Sequence, residues 1–165
     1  MTSTLFPLLR SLIPVLPLLV SSANAAEAIQ TQATADGDVQ VDVIQAATDQ
    51  RILTVQLAYR NTSNVDLRIK YPVSGVYYID ERERKKYSVL RDSNGEWVAA
   101  PTAYGNIATQ HGWGVEALPL QAGGKLIVWF KFPAPPASTT KINLVIPDVP
   151  PFENLVVSQQ TQNGV

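Results

Sequence analysis

The chain has 165 residues, with 14 acidic and 13 basic side chains and a formal net charge of −1, the size of a single domain. A charge so near balance excludes the strongly basic signature of nucleic-acid and anionic-membrane binders. The lack of cysteine excludes disulfides, thiolate metal sites and a lipobox, so stability has to come from a hydrophobic core.

Residues 1–25 read MTSTLFPLLRSLIPVLPLLVSSANA, with Arg10 ahead of an apolar run and the small residues Ala23 and Ala25 at the end. That layout predicts a secretory signal peptide cleaved after Ala25. The apolar run SLIPVLPLLV is shorter than the roughly 20 residues that span a bilayer, and Pro14 and Pro17 would break a helix within it. Cleavage would leave 165 − 25 = 140 residues and, without Arg10, a net charge near −2. An exported domain without disulfides suits a bacterial periplasm or medium, with no membrane attachment once the leader is gone. The expected division is a signal peptide over 1–25, a flexible leader over 26–36, a β domain over 37–158 and a polar tail over 159–165.

The mature chain alternates apolar and polar residues in short runs, the period of strands with one buried face. DVQVDVI (38–44) carries Val39, Val41 and Val43 on one side; RILTVQLAYRN (51–61) carries Leu53, Val55, Leu57 and Tyr59. NTSN (61–64) is rich in side chains that hydrogen-bond their own backbone and predicts a turn. VDLRIKY (65–71) alternates again, and GVYYID (75–80), KYSVLRD (86–92) and EWVAA (96–100) read as a three-strand meander. The Asn94–Gly95 pair predicts a type I′ turn between its last two strands. PTAYGNIATQHGWG (101–114) has no period and reads as a long loop, followed by VEALPLQAGG (115–124) as a short strand and glycine turn. KLIVWFKF (125–132), KINLVIP (141–147) and FENLVVS (152–158) complete the strands. No mature segment shows a helical period, and the spacing predicts an immunoglobulin-like antiparallel β-sandwich of about seven to nine strands.

In KLIVWFKF, Leu126, Val128, Phe130 and Phe132 form one face and Ile127, Trp129 and Lys131 the other. The second face leaves two readings: Trp129 covered by a neighbouring loop, the expected one because tryptophan is usually well buried, or Trp129 within an exposed patch that binds a partner. Pro133, Pro135 and Pro136 cannot donate to a ladder and end the strand.

The succession YRN (59–61), YYID…KKYSVLRDSNGEWVA (77–99), AGGKLIVWFKFPAPP (122–136) and KINLVIPDVPPFENLVV (141–157) resembles a group of small exported bacterial β-sandwich domains. Some of these stand alone and some precede an OmpA-like, peptidoglycan-binding domain; they look like relatives of the secreted immunoglobulin-like antigens of mycobacteria. The resemblance implies a fold and an exported compartment and carries no activity or site. The sequence as it stands has no OmpA-like domain, so a peptidoglycan-anchoring role does not transfer.

Candidate chemistry is sparse. His111 is the only histidine and sits in a glycine-flanked loop without a GxSxG elbow, so nucleophilic catalysis is not expected. One histidine and no cysteine make a transition-metal site improbable. Asp36 and Asp38 flank a glycine but lack the further oxygen ligands of a calcium loop, and Asp80, Asp92 and Glu96 fall where carboxylates accept turn hydrogen bonds. DERERKK (80–86) mixes signs and reads as a solvated turn. The candidate binding residues are Tyr104, Asn106, Gln110, His111 and Trp113 in the long loop, with Trp129 on its strand. The expectation is a non-enzymatic exported module that needs no cofactor or metal and binds an envelope or extracellular protein; the alternatives are a small-ligand carrier and a hydrolase using His111. The oligomeric state is open.

Overall fold

The computed structural model describes residues 27–95, 97, 100 and 118–159. The expected signal peptide and the 101–114 loop lie outside the described residues. Within them the chain is all-β and consists of antiparallel sheets with one short parallel pairing. The strands are β1 (Gln30–Ala33), β2 (Val39–Asp49), β3 (Ile52–Asn61), β4 (Leu67–Ile69), β5 (Tyr77–Asp80), β6 (Lys85–Ser88), β7 (Leu118–Leu120), β8 (Lys125–Pro133), β9 (Lys141–Val145), β10 (Phe152–Val156) and β11 (Ser158–Gln159).

One sheet has the order β1-β2-β3-β8, a second the order β10-β9-β5-β6, and β4 and β7 form a small pair. The alternation in β3 and β8 sets the register of the first sheet. Leu53 lies opposite Phe132, Val55 opposite Phe130 and Leu57 opposite Val128, all buried. From the second sheet, Tyr78, Ile142, Leu144, Phe152 and Leu155 join the same core cluster. Tyr78 ties the layers together: its ring stacks on Tyr87 at 4.6 Å and meets Phe132 edge-on at 5.5 Å. Its hydroxyl donates to the Pro133 carbonyl at 2.8 Å.

β2 carries a bulge at Ile44, where the pairing with β3 steps from Val43–Leu57 to Gln45–Gln56. The extra residue reverses the parity of the strand, so Val39, Val41 and Val43 face the core before it and Ala46 after it. The same outer edge of β2 receives two partners in succession, β1 antiparallel along residues 40–43 and β11 parallel along 47–48.

Two expectations are corrected. The segment expected to be a loose leader supplies β1: Gln30 and Gln32 reach across to the carbonyls of Glu153 and Pro151 at 3.0 and 3.3 Å, polar links that hydropathy does not register. Of the expected three-strand meander, two strands fall wholly within the described residues. β5 and β6 form a hairpin, and in the third expected segment, which lies mostly outside the described residues, Trp97 bridges Arg91, whose guanidinium lies 3.6 Å from the ring centre. The Asn94–Gly95 turn is not type I′, because only Gly95 has positive φ, at 85°. Asp92 accepts the Asn94 N–H at 2.8 Å and its carbonyl accepts the Gly95 N–H at 3.1 Å. That is the type I pattern with aspartate first and glycine fourth.

Candidate functional site

β8 is the last strand of its sheet. The Lys131 carbonyl accepts the Leu90 N–H at 3.0 Å, and the Pro133 carbonyl accepts the Tyr78 hydroxyl. Odd-numbered residues of β8 therefore turn their backbone groups away from β3, while the even ones complete the β3 ladder. Nearer its start, β8 has no strand partner on that outer edge among the described residues. The side chains there are Ile127, 46 % exposed, and Trp129, 38 % exposed, bracketed by Lys125 and Lys131. Trp129 is thus exposed, against the expectation that a loop covers it. Its position follows from alternation alone: with Val128 and Phe130 committed to the core, the indole is left on the outer face opposite Gln56.

The same outer face carries one charged network. Arg60 grips Asp42 through two nitrogens, at 2.6 and 2.9 Å, and Thr31 donates to the same carboxylate at 2.6 Å. The guanidinium bonds hold the Asp42 carboxyl below the ordinary carboxylate range, against the opposing effect of burial.

At one end of the sheets lies a pocket of about 400 Å³. The 34–36 turn, Val39 and Tyr59 of the first sheet form one side; β4 with Lys70 and Tyr71, and Pro147 to Val149, form the other. Gly75 lets the backbone pass beside Pro147, since a Cβ there would stand 2.8 Å from the proline ring. Tyr59 and Tyr71 stack at 6.4 Å between centroids and Tyr71 meets Phe130 edge-on at 5.5 Å. Both hydroxyls are buried, and neither has a hydrogen-bond partner among the described residues. Burial pushes both phenols well above their ordinary pKa; for Tyr59 the neighbouring Tyr71 and the Asp148 carboxylate add to the rise.

Of the residues proposed from sequence, Trp129 is placed on the open edge of β8, while Tyr104, Asn106, Gln110, His111 and Trp113 lie outside the described residues. The pocket was not anticipated. Tyr59 reads in the sequence as one more core residue and Tyr71 as the end of a weak strand; only the fold brings 12 residues' separation into ring contact. Comparison with known proteins finds no matching family model, no matching curated protein and no matching solved structure.

Proposed function

We propose that this chain is an exported, non-catalytic recognition module of immunoglobulin-like sandwich architecture, acting in the periplasm or outside the cell. It binds an envelope or extracellular protein by taking an extended segment of that protein onto the free edge of β8. The observation that carries this reading is the pairing of outward backbone groups with two exposed apolar side chains, Ile127 and Trp129, on one edge strand. Main-chain bonds supply affinity in such strand addition and alternate side chains supply selectivity. The chemistry of the partner follows from the flanking charges. Two copies of β8 set antiparallel with Ile127 opposite Trp129 would place Lys125 against Lys131, which opposes self-pairing. A segment with acidic residues around an apolar centre complements the same edge. Support for export comes from the N-terminal signature and the absence of cysteine; support for a sandwich comes from the shared core of the two sheets.

Proline at position 127 tests this directly, because it removes an N–H that β3 does not use. With a photo-crosslinker placed at Lys131, the wild-type chain should capture a discrete envelope protein. Ile127→Pro and Trp129→Ala should each lose that capture while keeping the wild-type circular dichroism spectrum. Folded variants that retain the same cross-linked partner would exclude the edge as the binding surface.

A further inference from the structure

The sheet β1-β2-β3-β8 has two ends, and their exposed groups are complementary. At the β1 end the Thr34 N–H donates to the Val39 carbonyl at 2.9 Å. Alternate residues of an antiparallel strand bond to the same side, so Thr31 and Ala33, both exposed, turn their N–H and C=O groups to the outer edge. No strand pairs with β1 there among the described residues. Ile29, 45 % exposed, stands just ahead of them. The segment 27–38 around β1 carries Glu27, Asp36 and Asp38 and no basic side chain. The β8 end presents Ile127 and Trp129 between Lys125 and Lys131. β1 thus has the composition that complements β8, acidic residues around an apolar centre, and is already held in extended form.

The rows of the sheet give the register. Thr31 lies opposite Asp42, Asp42 opposite Ala58 and Ala58 opposite Ile127, and none of the four belongs to the core cluster. A second copy whose β1 runs antiparallel to β8, with its Thr31 opposite Ile127, continues that outer-face row without a step. Its Ala33 then stands opposite Lys125 and its Ile29 beside Trp129. Its Glu27 falls at the Lys131 end and its Asp36 at the Lys125 end. The outward backbone groups of Thr31 and Ala33 meet those of Ile127 and Lys125, and the ladder stops where Leu90 already occupies the Lys131 carbonyl.

We infer that the chain associates head to tail, the β1 edge of one copy adding to the β8 edge of the next. This rests on the reading of β8 as a strand-accepting edge and names the protein taken up there as a second copy of the chain. Because the two patches differ, the contact is heterologous and either closes into a ring or propagates as an open chain.

The lack of cysteine makes the pairing directly testable. Chains carrying Thr31→Cys mixed with chains carrying Ile127→Cys, and oxidised in a glutathione buffer, should form a disulfide-linked dimer. Thr31→Cys mixed with Val156→Cys, an exposed position in the second sheet, is the control and should not. Within one chain the two edges lie about 14 Å apart, three strand spacings, too far for an internal disulfide, so a chain carrying both Thr31→Cys and Ile127→Cys should give a ladder of oligomers. Sedimentation velocity of the purified chain should show association that rises with concentration. Ile127→Pro should abolish it with the circular dichroism spectrum unchanged. Glu27→Lys should weaken it by about fivefold, and Lys131→Glu added to Glu27→Lys should restore it. A cysteine pair that cross-links no better than the control, or association untouched by Ile127→Pro, overturns the inference. The photo-crosslinker at Lys131 should capture the chain itself. Capture of a different protein by a chain that stays monomeric removes the second copy and keeps the β8 edge; capture of nothing removes both.

Discussion

Asp80 shows how much one carboxylate can organise. It is fully buried at the end of β5, accepts the N–H groups of Arg82 and Glu83 at 3.0 and 3.2 Å, and receives the Thr139 hydroxyl at 2.7 Å. The two backbone bonds are those expected of an aspartate opening a turn. The bond from Thr139 joins chain positions 59 residues apart and has no local signature. Asn61 behaves in the same way: its side-chain oxygen accepts the Ser63 N–H at 2.9 Å, as the NTSN turn suggests, but its amide also donates to the Leu120 and Gln121 carbonyls. Asp42 carries the clearest consequence for pH. Arg60 lowers its folded-state pKa, so the folded chain holds that proton less tightly than the unfolded chain. The stabilisation is complete above the unfolded value of about 3.9 and disappears as the pH falls through the lower folded value. Asp42→Asn should cost about 1–2 kcal/mol at neutral pH. Its stability should also fall less than that of the wild type between pH 5 and pH 3, as urea titrations at each pH would show.

Among the elements, strands with a clean period of two were legible in the sequence, and strands whose pairing depends on distant partners were not. The inward faces of β3 and β8 match the alternation residue for residue. β2 extends to Asp49 rather than ending near Ile44, because the bulge breaks the alternation that would have marked its second half. β1 has no apolar alternation at all and is held by its ladder to β2 and by two glutamine side chains. The turn from β2 to β3 is a two-residue hairpin, Gln50–Arg51, with Gln50 at φ 53° and no glycine or asparagine to announce it. The bulge can be tested by removal. Deleting Ile44 should leave Gln45 opposite Gln56 and Ala46 opposite Val55, an unbroken alternation that keeps Ala46 on the core face. The deletion should therefore fold with the same sheets and change stability by no more than about 1–2 kcal/mol, and Ile44→Val should stay within about 1 kcal/mol of the wild type. Thermal denaturation checks both variants; a deletion that fails to fold would mean that the extra twist of the bulge is itself required.

Across the whole molecule, the two layers meet through aromatic rings as well as aliphatic packing, and Tyr78 adds a hydrogen bond between them from within the core. Tyr78→Phe keeps the ring stack and removes only the bond to the Pro133 carbonyl. A loss of about 1 kcal/mol in chemical denaturation is expected, with the near-ultraviolet spectrum preserved; no loss would mean that this bond adds nothing to the packing of the ring. The position of β1 and β11 has a further consequence. Both lie on the outer edge of β2, two strands away from β8, and the first residue of β1 and the last of β11 stand opposite Val43 and Thr48 of β2, about 16 Å apart. A flexible linker of a few residues could bridge that gap and move the breakpoint to Gln50–Arg51, giving a circular permutant with the same sheets. In the native order, anything fused before β1 or after β11 hangs from the far side of the sheet, leaving Ile127 and Trp129 unobstructed.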